Sequence, residues 1–158
     1  MSTMPKARSS QRGNAMIELA LVIFVLMTLM AGIFEIGRAL WFYETLIKAA
    51  RDGARTLSVQ PNTTIATTGS DKARTIVVDA ALASGVPNFT SANVTVECLD
   101  ATYGGTGTCV NGIAPTAVRV KVSYQMTIGE LIPFIMNDPT SDDKTLKPSA
   151  VMRYMDLK

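Results

Sequence analysis

A single carboxylate near the start of the chain lies where a charge is costly. Glu18 follows Gly13 by five positions and precedes residues 19–34, which contain no Lys, Arg, Asp or Glu. A carboxylate at the centre of a bilayer costs about 2.5–3.5 kcal/mol on insertion scales, and less near the interface, where the side chain reaches water. Glu18 is therefore either tolerated because it is shallow or stabilised by a partner.

No set of residues in the sequence is typical of a catalytic site. The chain has no histidine and lacks the nucleophile-elbow, phosphate-loop, paired-carboxylate and metal-spacing motifs. Its remaining acids outside the first helix include five that we place in strand ends or polar loops as solvated charges: Glu97, Asp100, Asp138, Asp142 and Asp143. We predict no enzymatic activity, no catalytic residue, no cofactor and no metal. The net charge of +2 is spread along the chain, which does not favour nucleic-acid binding.

The residues before Glu18 predict a membrane anchor. Lys6, Arg8 and Arg12 precede the apolar run, and the first 17 positions contain no acid. Because Lys and Arg close to a span stay in the cytoplasm, the N-terminus is predicted to be cytoplasmic and the remainder outside. The run is longer than the apolar region of about 7–15 residues in a secretory signal, and no A-x-A-like site follows it. We therefore predict one transmembrane segment over about residues 15–34, which at about 1.5 Å per residue spans roughly 30 Å.

The two cysteines fall in the part assigned to the oxidising compartment. Cys98 and Cys109 have ten residues between them, which is not the spacing of a C-x-x-C redox motif. Two cysteines without histidine also make a poor zinc site. A structural disulfide is favoured, followed by two free thiols and then by a metal site.

The helix is predicted to continue beyond the membrane to about residue 57. Residues 35–55 contain no proline, and apolar residues recur there at steps of three and four: Ile36, Leu40, Tyr43, Ile47, Ala50 and Ala54. Small residues, among them Gly53, would allow close packing against the rest of the domain or against another subunit. Trp41, Phe42 and Tyr43 could form an outer interfacial belt or pack on the domain; both readings stay open.

Residues 58–158 are predicted to form one small α+β domain outside the cytoplasm. After a polar loop at 60–69, a short helix is expected with Ser70 as N-cap, a buried face of Ile76, Val77, Ala80 and Ala81, and an end at Gly85. Alternation predicts strands at 93–98, 117–124 and 149–155, in an antiparallel sheet of about three strands. A flexible loop is expected at 103–108 and a packed loop at 131–136.

The block from Gly13 to Arg55 resembles the TadE-like family of tight-adherence (Flp-type IVb) pilus systems. In that family a basic leader ends in glycine, and a glutamate follows at the fifth mature position, as Gly13, Asn14 and Glu18 do here. Two helix motifs also match, one containing Glu35, Gly37 and Arg38 and the other containing Ala50, Arg51, Gly53 and Arg55. The C-terminal residues 151–154 are similar to the family's usual ending, whereas the middle of the chain carries no diagnostic motif.

The resemblance implies a minor pilin or pseudopilin. It would be made in the inner membrane as a precursor, with residues 1–13 as leader and residues 14–57 as helix, and be cut after Gly13 by a prepilin peptidase. Glu18 would then pair with the new α-amine of Asn14 on a neighbouring subunit. The implied partners are the peptidase, other major and minor pilins, the inner-membrane assembly platform and membrane lipid, in support of adhesion and biofilm formation. The alternative is a single-span periplasmic scaffold or binding protein that never enters a filament.

Overall fold

The computed structural model describes residues 10–101, 107–126 and 144–155, without the side chains of residues 10–12 and 144. The leader up to residue 9, most of the loop predicted at 103–108, and the packed loop predicted at 131–136 lie outside the described residues. The chain divides into two compact units between residues 37 and 38. Of the described residues, the first unit contains 10–37 and the second contains the rest.

The long N-terminal helix is confirmed as α1, Ser10–Ser58. In the first unit its side chains are almost all exposed, including Met16 (75%), Phe24 (65%) and Ile33 (71%). Thr28, a polar residue in this stretch, donates its hydroxyl to the carbonyl of Phe24 at 2.9 Å, so its donor is satisfied within the helix. Among the described residues, α1 is the one helix long and apolar enough to cross a membrane.

In the second unit, the buried face of α1 shares only Ala50 and Ala54 with the apolar stripe found in the sequence. Leu40 is 61% and Tyr43 41% exposed, so the earlier part of that stripe is not the packing face. The buried face is instead carried by residues at steps of three and four that begin at Phe42: Phe42, Leu46, Ala49, Ala50, Gly53, Ala54 and Leu57. The stripe does not identify the packing face, because apolar residues occupy opposite sides of α1 before residue 44 and periodicity alone does not choose between the two sides.

Helix α2, Ser70–Ala83, occurs where a short helix was predicted. Its buried positions are Ser70, Ala73, Val77 and Ala81, whereas Ile76 and Ala80 are only partly buried. The predicted Ser70 N-cap is wrong. Gly69 occupies the cap position and is itself helical, because a single π turn, Ile65–Gly69, leads directly into α2. The Ser70 hydroxyl donates to the Ile65 carbonyl at 2.8 Å.

The end of α2 lies where a glycine was expected to stop it. Gly85 has φ +77°, a left-handed conformation that side chains other than glycine adopt at a cost. The Val86 N–H donates back to the Ala81 carbonyl at 3.1 Å and the Gly85 N–H to the Leu82 carbonyl at 3.0 Å. These bonds satisfy carbonyls that the helix leaves open and turn the chain towards the sheet.

The predicted three-stranded antiparallel sheet is confirmed. Its strands are β1 (Val94–Leu99), β2 (Ala117–Val122) and β5 (Ser149–Arg153), in the order β1-β2-β5. The central strand β2 buries Val118, Val120 and Val122 on one face and directs Arg119 and Lys121 to the other, as period-two alternation requires. Tyr124, which was predicted to end the second strand, instead begins β3 (Tyr124–Met126), and β3 pairs with β4 (Lys144–Leu146) in a separate ribbon.

The disulfide between Cys98 and Cys109 is present, with an S–S distance of 2.02 Å. The Cys98 N–H also donates to the Gly107 carbonyl at 2.9 Å, so the same loop is held by backbone pairing at the edge of β1. By loop-entropy estimates a crosslink over a loop of this size stabilises the domain by roughly 3 kcal/mol, which is a large fraction for a small domain. The α+β fold class is therefore confirmed, with two more strands than expected among the described residues.

Candidate functional site

The start of α1 combines a glycine, the bond that follows it and an exposed carboxylate. A Cβ built on Gly13 has no atom within 4 Å, and Glu18 is exposed. Because α1 begins at Ser10, the bond between Gly13 and Asn14 lies at the end of the first turn of the helix. Glycine in a helix costs about 1 kcal/mol relative to alanine, which makes this turn easier to unwind. No described residue forms an ion pair with Glu18.

Glu35 and Arg38 are the two charged residues between the apolar run and Trp41. Glu35 is only 2% exposed and Arg38 is half-buried. Within the second unit, Arg38 lies four positions before the buried Phe42, so these two residues share one helix face.

Within the second unit, Arg38 lies close to an aromatic cluster. Tyr124 contacts Phe42 edge-on at 6.4 Å between ring centroids and Phe89 at 5.9 Å. Its hydroxyl donates to the Pro87 carbonyl at 3.1 Å. Burial raises the pKa of Tyr124 above its ordinary value of 10.0, and the positive charge of Arg38 partly offsets this effect. Sequence reasoning did not identify this cluster, because its members come from α1, a loop and β3.

At Gly53, α1 comes close to α2. A Cβ placed there would lie 2.7 Å from Cγ2 of Val77 and 3.2 Å from the Ala73 carbonyl oxygen, both shorter than ordinary van der Waals contact. Ala50 and Ala54 flank it and are fully buried. The small residues of the second helix motif therefore form the packing seam against the domain, the first of the two predicted uses.

The arginines of the second helix motif do not pack against the domain. Arg51 and Arg55 are exposed, as are Glu44 and Lys48, which form a weak exposed pair with Nζ and Oε2 3.8 Å apart. Gly37 is also exposed, with open space around its Cα. The structure thus divides the predicted motif residues into a buried group, with Glu35, Ala50 and Gly53, and an outward group, with Gly37, Arg51 and Arg55.

The residues that follow β5 form hydrogen bonds with the end of α1 and the turn after it. The Tyr154 hydroxyl donates to the Gln60 carbonyl at 2.7 Å, and the Met155 N–H donates to the Ser58 carbonyl at 2.9 Å. These bonds give a structural reason for the aromatic residue in the C-terminal motif. They could not be found from the sequence, since they join residues almost a hundred positions apart.

Glu97 was expected to be a solvated charge in a strand end or loop, but it lies within β1 and is ion-paired to β2. Glu97 accepts from Nζ of Lys121 at 2.6 Å and from the Arg119 guanidinium at 3.4 Å, and its side chain is 13% exposed. The pair spans β1 and β2 and contributes to their register, as cross-strand pairs do. Within the described parts of the chain, no group of three His, Cys, Asp or Glu side chains could hold a metal ion.

Comparison with known protein families finds a match in the first part of the chain, from Gly13 through the motif that ends at Arg55. Residues 13–55 match the TadE-like protein family. The match confirms the resemblance seen in the sequence and indicates a protein associated with the Tad pilus. No curated protein and no solved structure matches the chain.

The TadE-like segment, residues 13–55, coincides with most of α1. It contains Gly13, Glu18 and both helix motifs, and it ends where α1 is already packed on the domain through Gly53 and Ala54. The family is structural and not enzymatic. One long apolar helix in a TadE-like segment indicates a single-pass membrane protein.

Proposed function

We propose that this TadE-like chain is a minor pilin or pseudopilin of a tight-adherence type IVb pilus. It is inserted in the inner membrane with its N-terminus in the cytoplasm, and prepilin peptidase cuts it after Gly13. The observation that carries the proposal is the family match, which begins at Gly13 and includes Glu18 and the exposed apolar helix.

The precursor geometry fits this processing. The bond after Gly13 lies near the start of α1, so the peptidase has to unwind only the beginning of the helix. Lys6, Arg8 and Arg12 keep this end at the cytoplasmic surface. Cleavage converts Asn14 into the first residue of the helix and gives it a positive α-amine.

Assembly then uses Glu18. The exposed apolar side chains of residues 13–34 pack against the helices of other pilins, and Glu18 pairs with the α-amine of a neighbouring subunit. The pair selects subunits in the correct axial register, because an unpaired carboxylate or amine in the apolar bundle is costly.

The domain after α1 favours a low-copy role. The described β strands, α2 and the disulfide lie beyond the TadE-like segment and form one folded core with the end of α1. Such bulk is better accommodated at the start or tip of a filament than at every position along it. We infer that the protein initiates or caps the pilus and so supports adhesion and biofilm formation.

Fractionation of the native host tests this function. We expect deletion of the gene to abolish or strongly reduce surface pili, and the full-length gene to restore them. In the restored cells the protein should occur in both the inner membrane and the sheared pilus fraction. Restoration of pili with the protein confined to the membrane would contradict the pilin proposal and favour a membrane-bound scaffold. Normal pili in the deletion strain would contradict both roles.

A further inference from the structure

The exposed face of α1 changes from apolar to charged between two adjacent residues. Leu40 and Trp41 are 61% and 63% exposed, and Tyr43 is also exposed. From the next position onwards the most exposed α1 side chains are charged: Glu44, Lys48, Arg51, Asp52 and Arg55. The start of the second unit thus presents large apolar side chains, although it belongs to the compact domain.

Two charges precede this apolar face along α1. Glu35 is buried, and Arg38 is half-buried and lies four positions before Phe42. Phe42 packs inwards on Tyr124, whereas its neighbours Trp41 and Tyr43 do not join the core. The three consecutive aromatics are therefore divided: the middle one packs on the domain and the outer two are exposed.

The count of residues along α1 relates this face to bilayer dimensions. If Glu18 lies at the inner edge of the hydrocarbon, about 20 residues at 1.5 Å each cross the roughly 30 Å core, which then ends near Ala39. Trp41 and Tyr43 follow by about 3–6 Å, within a headgroup layer roughly 5–7 Å thick on each side. Trp and Tyr are the residues enriched at this depth, because their rings are apolar and their N–H or O–H reaches polar groups.

We propose that Leu40, Trp41 and Tyr43 lie in the outer headgroup layer of the membrane, so that Glu44 marks the boundary with water. The inference rests on the proposed membrane insertion and moves the outer end of the span from residue 34 to about residue 39. The partner of this face is phospholipid at the boundary between headgroups and acyl chains.

The chain offers a direct probe, because Trp41 is its single tryptophan. Full-length protein is reconstituted into phosphatidylethanolamine and phosphatidylglycerol vesicles that contain lipids brominated either near the headgroup end or near the methyl end of the acyl chains. We expect a larger loss of Trp41 emission with headgroup-proximal bromine than with methyl-end bromine. We also expect weak quenching by aqueous iodide.

Two matched variants calibrate depth on the same exposed helix. In L29W/W41F the probe lies near the predicted bilayer centre, and methyl-end bromine should quench it most. In W41F/K48W the probe lies beyond the predicted boundary, where iodide should quench it and brominated lipid should not. Leu29 and Lys48 are both well exposed, so the replacements leave the core intact.

The outcomes separate this inference from the proposed insertion. Iodide quenching of Trp41 equal to that of W41F/K48W would overturn the boundary at Glu44. Shielding of Trp41 from both iodide and bromine would also overturn it, since protein would then cover the face in place of lipid. If brominated lipid fails to quench L29W/W41F, membrane insertion itself is wrong, whatever the result for Trp41.

Discussion

Replacing Glu18 with alanine is expected to leave the protein in the membrane but to remove it from pili. Insertion depends on the apolar side chains of residues 19–34, which the substitution does not touch. Incorporation depends on a charge pair with the α-amine of a neighbouring subunit, which the substitution destroys. The measurement is the amount of the protein in the sheared pilus fraction relative to the inner membrane, in cells with this variant as the sole copy.

The size of the effect follows from the penalty for an unpaired charge. At 4 Å, two opposite charges attract by about 4 kcal/mol at an effective dielectric constant of 20, but each ion loses several kcal/mol of hydration. The intact pair therefore adds little net stability. Removing the carboxylate leaves the α-amine of the neighbouring subunit buried and unpaired, which costs about 3–5 kcal/mol. Since 1.4 kcal/mol is a factor of ten, incorporation should fall by at least about 100-fold.

Two other variants distinguish charge from helix disruption. Glu18→Gln keeps the size and polarity of the side chain but cannot carry the charge, and we expect it to behave like Glu18→Ala. Glu44→Ala removes an exposed acid of the same helix whose pair with Lys48 is weak, and piliation should be normal. Normal pilus incorporation of the glutamine variant would show that the charge of Glu18 is dispensable.

Replacing Gly53 with alanine is expected to destabilise the domain by about 1–3 kcal/mol, as overpacking in a filled core does. The new Cβ would lie 2.7 Å from Cγ2 of Val77. Valine has few rotamers in a helix, and the carbonyl of Ala73 limits movement on the other side. The two helices must therefore separate. Urea denaturation of the full chain in a mild detergent, followed by near-ultraviolet circular dichroism, measures the loss.

Gly37→Ala is the matched control in the same helix. A Cβ at Gly37 meets no atom within 4 Å, so the change adds helix propensity without a clash. We expect the unfolding free energy of the domain in this variant to stay within about 0.5 kcal/mol of the wild-type value or to rise. Equal stabilisation by both substitutions would refute the close approach at Gly53.

Parts of the fold with a clear period were predictable. Strand β2 alternates Val118, Val120 and Val122 with charged residues, and its start and inner face follow from that pattern, whereas its end was predicted two residues too late. The end of α2 near Gly85 was equally readable, because a left-handed residue is needed there. The disulfide followed from compartment and spacing, since two cysteines outside the cytoplasm had few other uses.

Other parts depended on information that periodicity does not contain. The apolar stripe of α1 does not by itself identify the packing face, because apolar residues before residue 44 occur both inside the domain and on its surface. Strands β3 and β4 are three residues each and far apart in the chain, so no hairpin signal joins them. The sequence showed Gly53 only as one of several small residues. A glycine is required there because Val77 and Ala73 of α2 leave no space for a Cβ.

The candidate site was predictable to a different degree at its two ends. The basic leader and the apolar run predicted a membrane helix, and the resemblance carried by Gly13 and Glu18 implied its processing; the family match covers these two residues. The division of Trp41, Phe42 and Tyr43 between exposed and buried positions required the fold, because it depends on where Tyr124 lies.

N-terminal mapping by mass spectrometry tests the central claim, cleavage of a pilin precursor after Gly13, most directly. The protein is taken from inner membranes of the native host and from sheared pili, and the first residue of each pool is determined. The account predicts Asn14 as the N-terminus of the pilus pool and of the processed fraction in the membrane. Chains that begin only at Met1 to Thr3 in both fractions would contradict it.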